Sequence, residues 1–397
     1  MLILLLGSMS FQGTQHEYDT DLPESYQIPG ELIINLDQIT LDKKAHYLDS
    51  IFSRLHKRIG FNGTVLYGEK GRLVYKEAFG FADKRKNDSL TTTSAFQLAS
   101  VSKMFTATAI MILEEKGMLD FDDTLTKFFP AFPYKNVTVR HLLTHRSGLS
   151  RYMSLAHEKW KEKTQPFSNR DMVNLFIRHN TRPYFKPDQG FHYCNTNYAL
   201  LASVVEEVSG QSFDKFVKMH IFRPLHMDDS FVYNHNYDTV VPYYVERGVP
   251  GYEYYGWRLR EYRDYYLNGV MGDKGVYSTV EDLFKFDQAL YNGLILQENT
   301  LREAYKPGSP KYWKRKDNYG FGWRIRSRED SCVYHYGWWK GFRAFFIRDL
   351  EQEKSIIVLN NRSKGFSSSV LWDIIHNREN ELGYIQHMDP YLYLTSL

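Results

Sequence analysis

Residues 96 to 120 read FQLASVSKMFTATAIMILEEKGMLD, an apolar helical pattern with Ser100 and Lys103 at its head. Behind them Val101, Met104, Phe105, Ala107, Ala109, Ile110, Ile112 and Leu113 leave no polar stripe, so the helix is buried on most sides. Positions i and i+3 share a helix face about 5–6 Å apart, which puts the Lys103 amine within reach of the Ser100 hydroxyl. An amine taken out of water favours its neutral form and can then accept a proton from serine. The helix start adds oriented N–H groups and positive potential for an oxyanion. Taken alone, the pair has a plainer reading, with Ser100 capping a core helix and Lys103 snorkelling outward. The same spacing recurs at Ser212 and Lys215, so it arises readily by chance.

Around this helix the chain is organised in three parts. Near its start, FNGTVLYGEKGRLVYKEAFGFAD (61 to 83) shows two β-branched and aromatic runs separated by Glu69-Lys70-Gly71-Arg72, a hairpin signature. Near its end, YGFGWRIR, CVYHYGWWKGFRAFFIRD and KSIIVLNN read as three more strands, the last two joined around Glu351 to Glu353. Between them the patterns are helical, over 101–118, 139–145, 169–180, 195–210, 212–222 and 279–293. The fold class is therefore α+β, an antiparallel sheet made from N- and C-terminal strands with a central, mostly helical region packed on it and beside it. Residues 1–15 are read as a partial export signal or tail, 16–45 as a polar arm and 386–397 as a tail. A single catalytic domain fills 46–385, its sheet part about 46–99 and 294–385 and its helical part about 100–293. Residues 233–268 form an aromatic-rich irregular insert.

Bulk properties narrow the function. The chain has 397 residues, long enough for a sizeable core, and a formal net charge of +3 from 50 basic and 47 acidic residues. No global field points to nucleic acid or a lipid surface. The run Leu2–Leu6 is too short to span a bilayer and reads as the apolar part of an export signal, which places the protein in the periplasm or outside the cell. Only two cysteines occur, Cys194 and Cys332, which excludes a disulfide framework and favours free buried thiols.

Two further segments change the reading of Ser100. FHYCNTNYALLASVVEEVSG places Tyr193-Cys194-Asn195 immediately before a helix, and YHYGWWKGFRAFF places His335-Tyr336-Gly337 on a strand. With Ser-x-x-Lys, Tyr-x-Asn and His-x-Gly in this order, the chain resembles the serine β-lactamase and D-alanyl-D-alanine carboxypeptidase superfamily, on its class C β-lactamase and esterase side. VTVRHLLTHRSGL (137 to 149), KGVYSTVEDLFKFDQAL (274 to 290) and YGFGW (319 to 323) are similar to its usual segments as well. The competing set Ser212, Lys215, Tyr266, Asn268 and Lys306-Pro307-Gly308 fails, because a proline-centred turn cannot form the required strand.

The resemblance implies a serine hydrolase that works through an acyl-enzyme on an ester, amide or D-amino-acid peptide, with no metal and no cofactor. Its partners would be a small-molecule or peptide acyl substrate, with no nucleic acid and no membrane span. Ser100 would attack, and Lys103 with Tyr193 would share the acid and base work as a coupled pair. Asn195 would orient Lys103, or cap its own helix. His335 would donate to the Ser100–Tyr193 network. Gly337 would let substrate backbone approach, and the N–H groups of Trp338 and Ser100 would form the oxyanion hole. Tyr336, where the family commonly has threonine, and the following tryptophans would crowd the strand where a β-lactam lies, which speaks against β-lactamase activity. Arg343 is either a carboxylate anchor or an exposed strand arginine. No separate deacylating glutamate is identifiable, so Tyr193 and Lys103 would also activate the water. A catalytically silent binding protein on the same scaffold and a true β-lactamase are the alternatives. A zinc hydrolase has no His-Glu-x-x-His cluster to rest on.

Overall fold

The computed structural model describes residues 38–233, 248–256, 258–262, 265–309, 317–326, 331–363 and 367–377. A long helix, α1 (Gln38–Ile59), precedes the hairpin β1 (Gly63–Glu69) and β2 (Arg72–Phe79), which turns at Lys70 and Gly71 as the sequence requires. The last eight residues of the stretch read as a polar arm thus open this helix; most of that arm, like 1–15 and 386–397, lies outside the described residues. Toward the other end lie β3 (Asn318–Tyr319), β4 (Arg324–Ile325), β5 (Cys332–Trp339), β6 (Phe342–Asp349) and β7 (Lys354–Asn360). All seven join in one antiparallel sheet of order β3-β4-β5-β6-β7-β1-β2. N- and C-terminal strands therefore meet where β1 pairs with β7, from Gly63 opposite Asn360 to Glu69 opposite Lys354.

Two strand expectations need correction. Residues 332–349 are two strands rather than one, because Lys340 and Gly341 adopt φ of +45° and +88° and fold the run into a hairpin. Left-handed backbone at both central positions is what a tight right-twisting hairpin demands, and Lys-Gly supplied the signal. YGFGWRIR likewise splits into β3 and β4. The insert at 233–268 also carries regular structure, a hairpin of Tyr252–Tyr255 with Arg258–Glu261, while 234–247, 257 and 263–264 lie outside the described residues.

Each face of the sheet buries an apolar layer. On the outer face α1 and a C-terminal helix cover Val65, Tyr67, Tyr334, Phe345 and Val358, with Phe52 and Trp372 among the covering side chains. On the inner face sits the larger cluster, and through it runs α2 (Ser102–Glu115), buried from Ser102 to Leu113. Phe105 packs on Phe286 with ring centroids 4.5 Å apart and on Phe222 at 5.4 Å. Burial of each such ring contributes about 1.5–3 kcal/mol. The helix ends where Gly117 turns left-handed and Met118 N–H closes on the Leu113 carbonyl at 2.9 Å. Beside it lies α3 (Asn195–Ser209), terminated by Gly210 in the left-handed region. A further helix, α4 (Val280–Tyr291), packs against β1 and β7. Cys194 and Cys332 are both free and buried, as the sequence suggests.

Candidate active site

Ser100 stands in a single 3-10 turn, Ala99–Val101, that feeds directly into α2. The residue before it, Ala99, has φ +50°, a left-handed conformation that costs a non-glycine residue about 1–3 kcal/mol and persists only where the surroundings impose it. Strand β5 imposes it. A Cβ on Gly337 would lie 2.1 Å from the Leu98 carbonyl oxygen and 3.1 Å from the Ala99 Cβ, so only glycine lets the strand press against this turn. The close approach expected of Gly337 is thus made to the chain's own backbone, next to Ser100.

The Lys103 amine is buried and fully engaged. Its Nζ donates to Ser100 Oγ at 3.1 Å, to Asn195 Oδ1 at 2.9 Å and to the Asp273 carbonyl at 2.8 Å. Asn195 is the first residue of α3, and its amide is turned to Lys103 rather than to its own helix end. Tyr193 lies across the amine, with Nζ 5.1 Å from the ring centroid. Ser100, Tyr193 and Asn195 are partly exposed while Lys103 is not, so the amine is the shielded member of the group. Four of the residues singled out in the sequence, from the two segments 100–103 and 193–195, come together around the Lys103 amine.

His335 joins them differently from expectation. Its ring lies 6.1 Å from that of Tyr193, on the inner face of β5, yet both nitrogens are occupied. Nδ1 donates to the Tyr336 carbonyl at 2.9 Å, and Nε2 accepts from the Tyr319 hydroxyl at 2.9 Å. No N–H remains for the Ser100–Tyr193 network. Burial, then the Arg324 and Lys103 charges, hold the imidazole well below its ordinary range, so it is neutral. Burial also pushes the Tyr319 phenol well up, with Tyr198 and Tyr193 adding to the shift, which keeps its hydroxyl a donor.

Tyr336 is a clear correction. Successive strand residues face opposite sides of a sheet, so a residue between His335 and Gly337 must point to the outer face. There its hydroxyl accepts from Trp372 Nε1 at 2.7 Å and its ring packs on Tyr334 at 4.8 Å. It neither lines nor crowds the site. Trp338 is 64% exposed and shares that outer orientation, so its side chain does not line the site. Arg343 pairs with Trp338 in register and lies on the same face, so it is not a substrate anchor. The bulky inner-face residue is Trp339, whose Nε1 donates to Asn268 Oδ1 at 3.0 Å and so ties β5 to the aromatic insert.

Three contributors carry no motif. Tyr319 and the Asp273 carbonyl are two of them. Arg324 on β4 is the third, with its guanidinium 4.9 Å from the Tyr193 ring centroid and no carboxylate partner among the described residues. Its neighbours on YGFGW mark the segment but not the role.

The chain as a whole is similar to known proteins. A family model described as Beta-lactamase matches residues 48–378. The chain is 37% identical to penicillin-binding protein 4* of Bacillus subtilis over 333 residues, 81% of this chain and 72% of that one. It is 25% identical to a D-aminopeptidase of Cereibacter sphaeroides over 83% of its own length and 61% of the relative's, so it spans less than two thirds of that longer protein. Its fold superposes on a penicillin-binding protein from Bacillus halodurans with a TM-score of 0.70 at 27% identity, covering 83% of this chain and 98% of the other. The chain belongs to the beta-lactamase family, within the serine hydrolases that include penicillin-binding proteins and D-aminopeptidases.

Proposed function

We propose that the protein hydrolyses an ester, amide or D-amino-acid peptide through a covalent ester on Ser100, and that its substrates carry an anionic group held by Arg324. The observation that carries the first part is the Lys103 amine at 3.1 Å from Ser100 Oγ, with its remaining two contacts fixed by oxygens. In this reading Lys103 and Tyr193 take the serine proton, pass it to the leaving group and then activate the deacylating water. Asn195 holds Lys103 in place. The backbone N–H groups of Ser100 and Trp338 receive the oxyanion, which the pressure of Gly337 on the Ser100 turn supports. His335, neutral and locked by Tyr319, positions the strand and the Tyr193 ring rather than moving a proton.

The second part rests on a guanidinium beside the phenol that has no carboxylate partner among the described residues. An arginine without a carboxylate partner at the mouth of a site is a ready donor to a carboxylate or phosphate. Among the described residues β4 pairs with β5 only at Tyr334 and Val333, which leaves the β4 side of His335–Trp339 open for an extended substrate backbone. A D-aminopeptidase among the relatives fits a peptide-like substrate.

Short-chain p-nitrophenyl esters, D-alanyl peptides with a free carboxylate and nitrocefin, assayed side by side, test the reading. Turnover of esters and of the anionic peptides is the predicted pattern, with little nitrocefin hydrolysis because the bulk of Trp339 lies on the inner face of β5. Arg324→Met should lower kcat/KM for the carboxylate peptide by about 10–100-fold while changing p-nitrophenyl acetate less than about threefold. Rapid nitrocefin turnover, or equal loss on both substrates, contradicts it.

A further inference from the structure

Directly behind Lys103 lies a buried acid–amine pair that the reaction described above does not use. Asp273 and Lys274 are adjacent and are 1% and 3% exposed. Asp273 Oδ2 accepts from the Tyr152 hydroxyl at 3.1 Å, and Oδ1 lies 3.4 Å from Lys274 Nζ. Lys274 Nζ also reaches the Tyr152 hydroxyl oxygen at 3.0 Å and the Val270 carbonyl at 3.0 Å. Tyr152 is itself 1% exposed, and burial, with Asp273 adding to it, drives its phenol well above the ordinary range. Its proton is therefore held for Asp273. Removing two charges from water costs several kcal/mol per ion, which apolar side chains of similar volume would avoid. Stability alone does not account for the pair.

Its main chain does have a task. An ammonium has three N–H bonds, and Ser100, Asn195 and the Asp273 carbonyl take all three from Lys103. The neutral amine keeps two N–H bonds and one lone pair. Asn195 Oδ1 and the Asp273 carbonyl accept only, so they retain the two N–H bonds and the lone pair is turned on to Ser100 Oγ. The direction of that lone pair depends on where the Asp273 carbonyl is held.

We propose that Tyr152, Asp273 and Lys274 are positioning residues for Lys103: they clamp the carbonyl that aims its lone pair, and their two opposed charges balance one another's field at the reacting centre. The inference rests on the serine-hydrolase reading above. Lys274 is held below its ordinary range, by burial first, with Asp273 opposing and the Lys103 charge adding to the depression. Other groups facing Lys103 are the rings of Tyr193 and Tyr198, the Cys194 thiol, His145, His335 and Arg324. Burial depresses both imidazoles well below their ordinary range and raises the thiol, so of these Arg324 alone adds a fixed charge near neutrality.

The test is the acid limb of kcat/KM against pH for p-nitrophenyl acetate. Asp273→Asn keeps the carbonyl and removes the negative charge, so an ammonium nearby is less favoured and the limb moves down by about one pH unit. Lys274→Met removes the positive charge and moves it up by about as much, and the double variant returns near the wild-type position. Tyr152→Phe lowers kcat roughly tenfold, the scale of one lost buried hydrogen bond, without moving the limb. A limb position is read from each curve's own plateau, so a partly folded preparation still reports it. Limbs that stay put, or that shift the same way in Asp273→Asn and Lys274→Met, overturn the proposal. A wild-type protein that neither turns over the ester nor takes up a fluorophosphonate overturns the hydrolase reading beneath it, whereas wild-type turnover with unmoved limbs sinks this inference alone.

Discussion

Lys103→Met should reduce kcat/KM on every acyl substrate by about 10³-fold or more while the protein stays folded. Methionine has nearly the length and volume of the buried lysine stem and fits a site that is 0% exposed. What it lacks is the atom that contacts Ser100 Oγ, Asn195 Oδ1 and the Asp273 carbonyl together. Ser100 then loses the base that contacts its Oγ, and the Tyr193 phenol is left without the amine beneath its ring. Circular dichroism and a melting curve beside the kinetics separate the chemical loss from unfolding. A residual rate within tenfold of wild type would assign the proton acceptor elsewhere.

The second large effect is on stability. Arg348 on β6 and Asp287 on α4 are 1% and 0% exposed, with Nε 2.7 Å from Oδ1. The guanidinium also donates to the Tyr305 hydroxyl and lies 4.2 Å from the Tyr291 ring centroid. Arg348→Met strands the Asp287 carboxylate in the inner core, which costs about 3–5 kcal/mol. For a domain of this size that is a fall of roughly 4–7 °C in Tm. Adding Asp287→Leu should recover part of the loss, because the orphaned charge goes with it. A single variant as stable as wild type, or a double variant that simply sums two losses, would show that the pair does not couple α4 to the sheet.

The parts of the site that were legible in the sequence are those written at fixed short spacing. Ser100 and Lys103 lie three residues apart at a helix start, and Tyr193 and Asn195 flank the start of α3, so local geometry alone directs them inward. Tyr336 was misread for a reason the sequence did contain: strand alternation turns it away from a face shared by His335 and Gly337. His335 could not be read correctly from its own segment, since its protonation is fixed by the Tyr319 hydroxyl beyond the β3–β4 turn. Asp273 acts through its main chain, which leaves no residue-type signature. The 332–349 run reads as one strand by its apolar patterning, although Lys340-Gly341 carries the turn chemistry of the hairpin. Arg324 and Arg343 look alike in sequence, which does not show that the Arg324 guanidinium ends 4.9 Å from the Tyr193 ring centroid while Arg343 shares the outer face with Trp338.

The central claim is that Ser100 is a nucleophile activated by Lys103. Mass spectrometry of the intact protein after treatment with a fluorophosphonate tests it most directly. One phosphonyl group per chain, mapped to the peptide containing Ser100, absent from Ser100→Ala and strongly slowed in Lys103→Met, is the predicted result. Modification that persists in Ser100→Ala, or no modification of the folded wild-type protein, would contradict it.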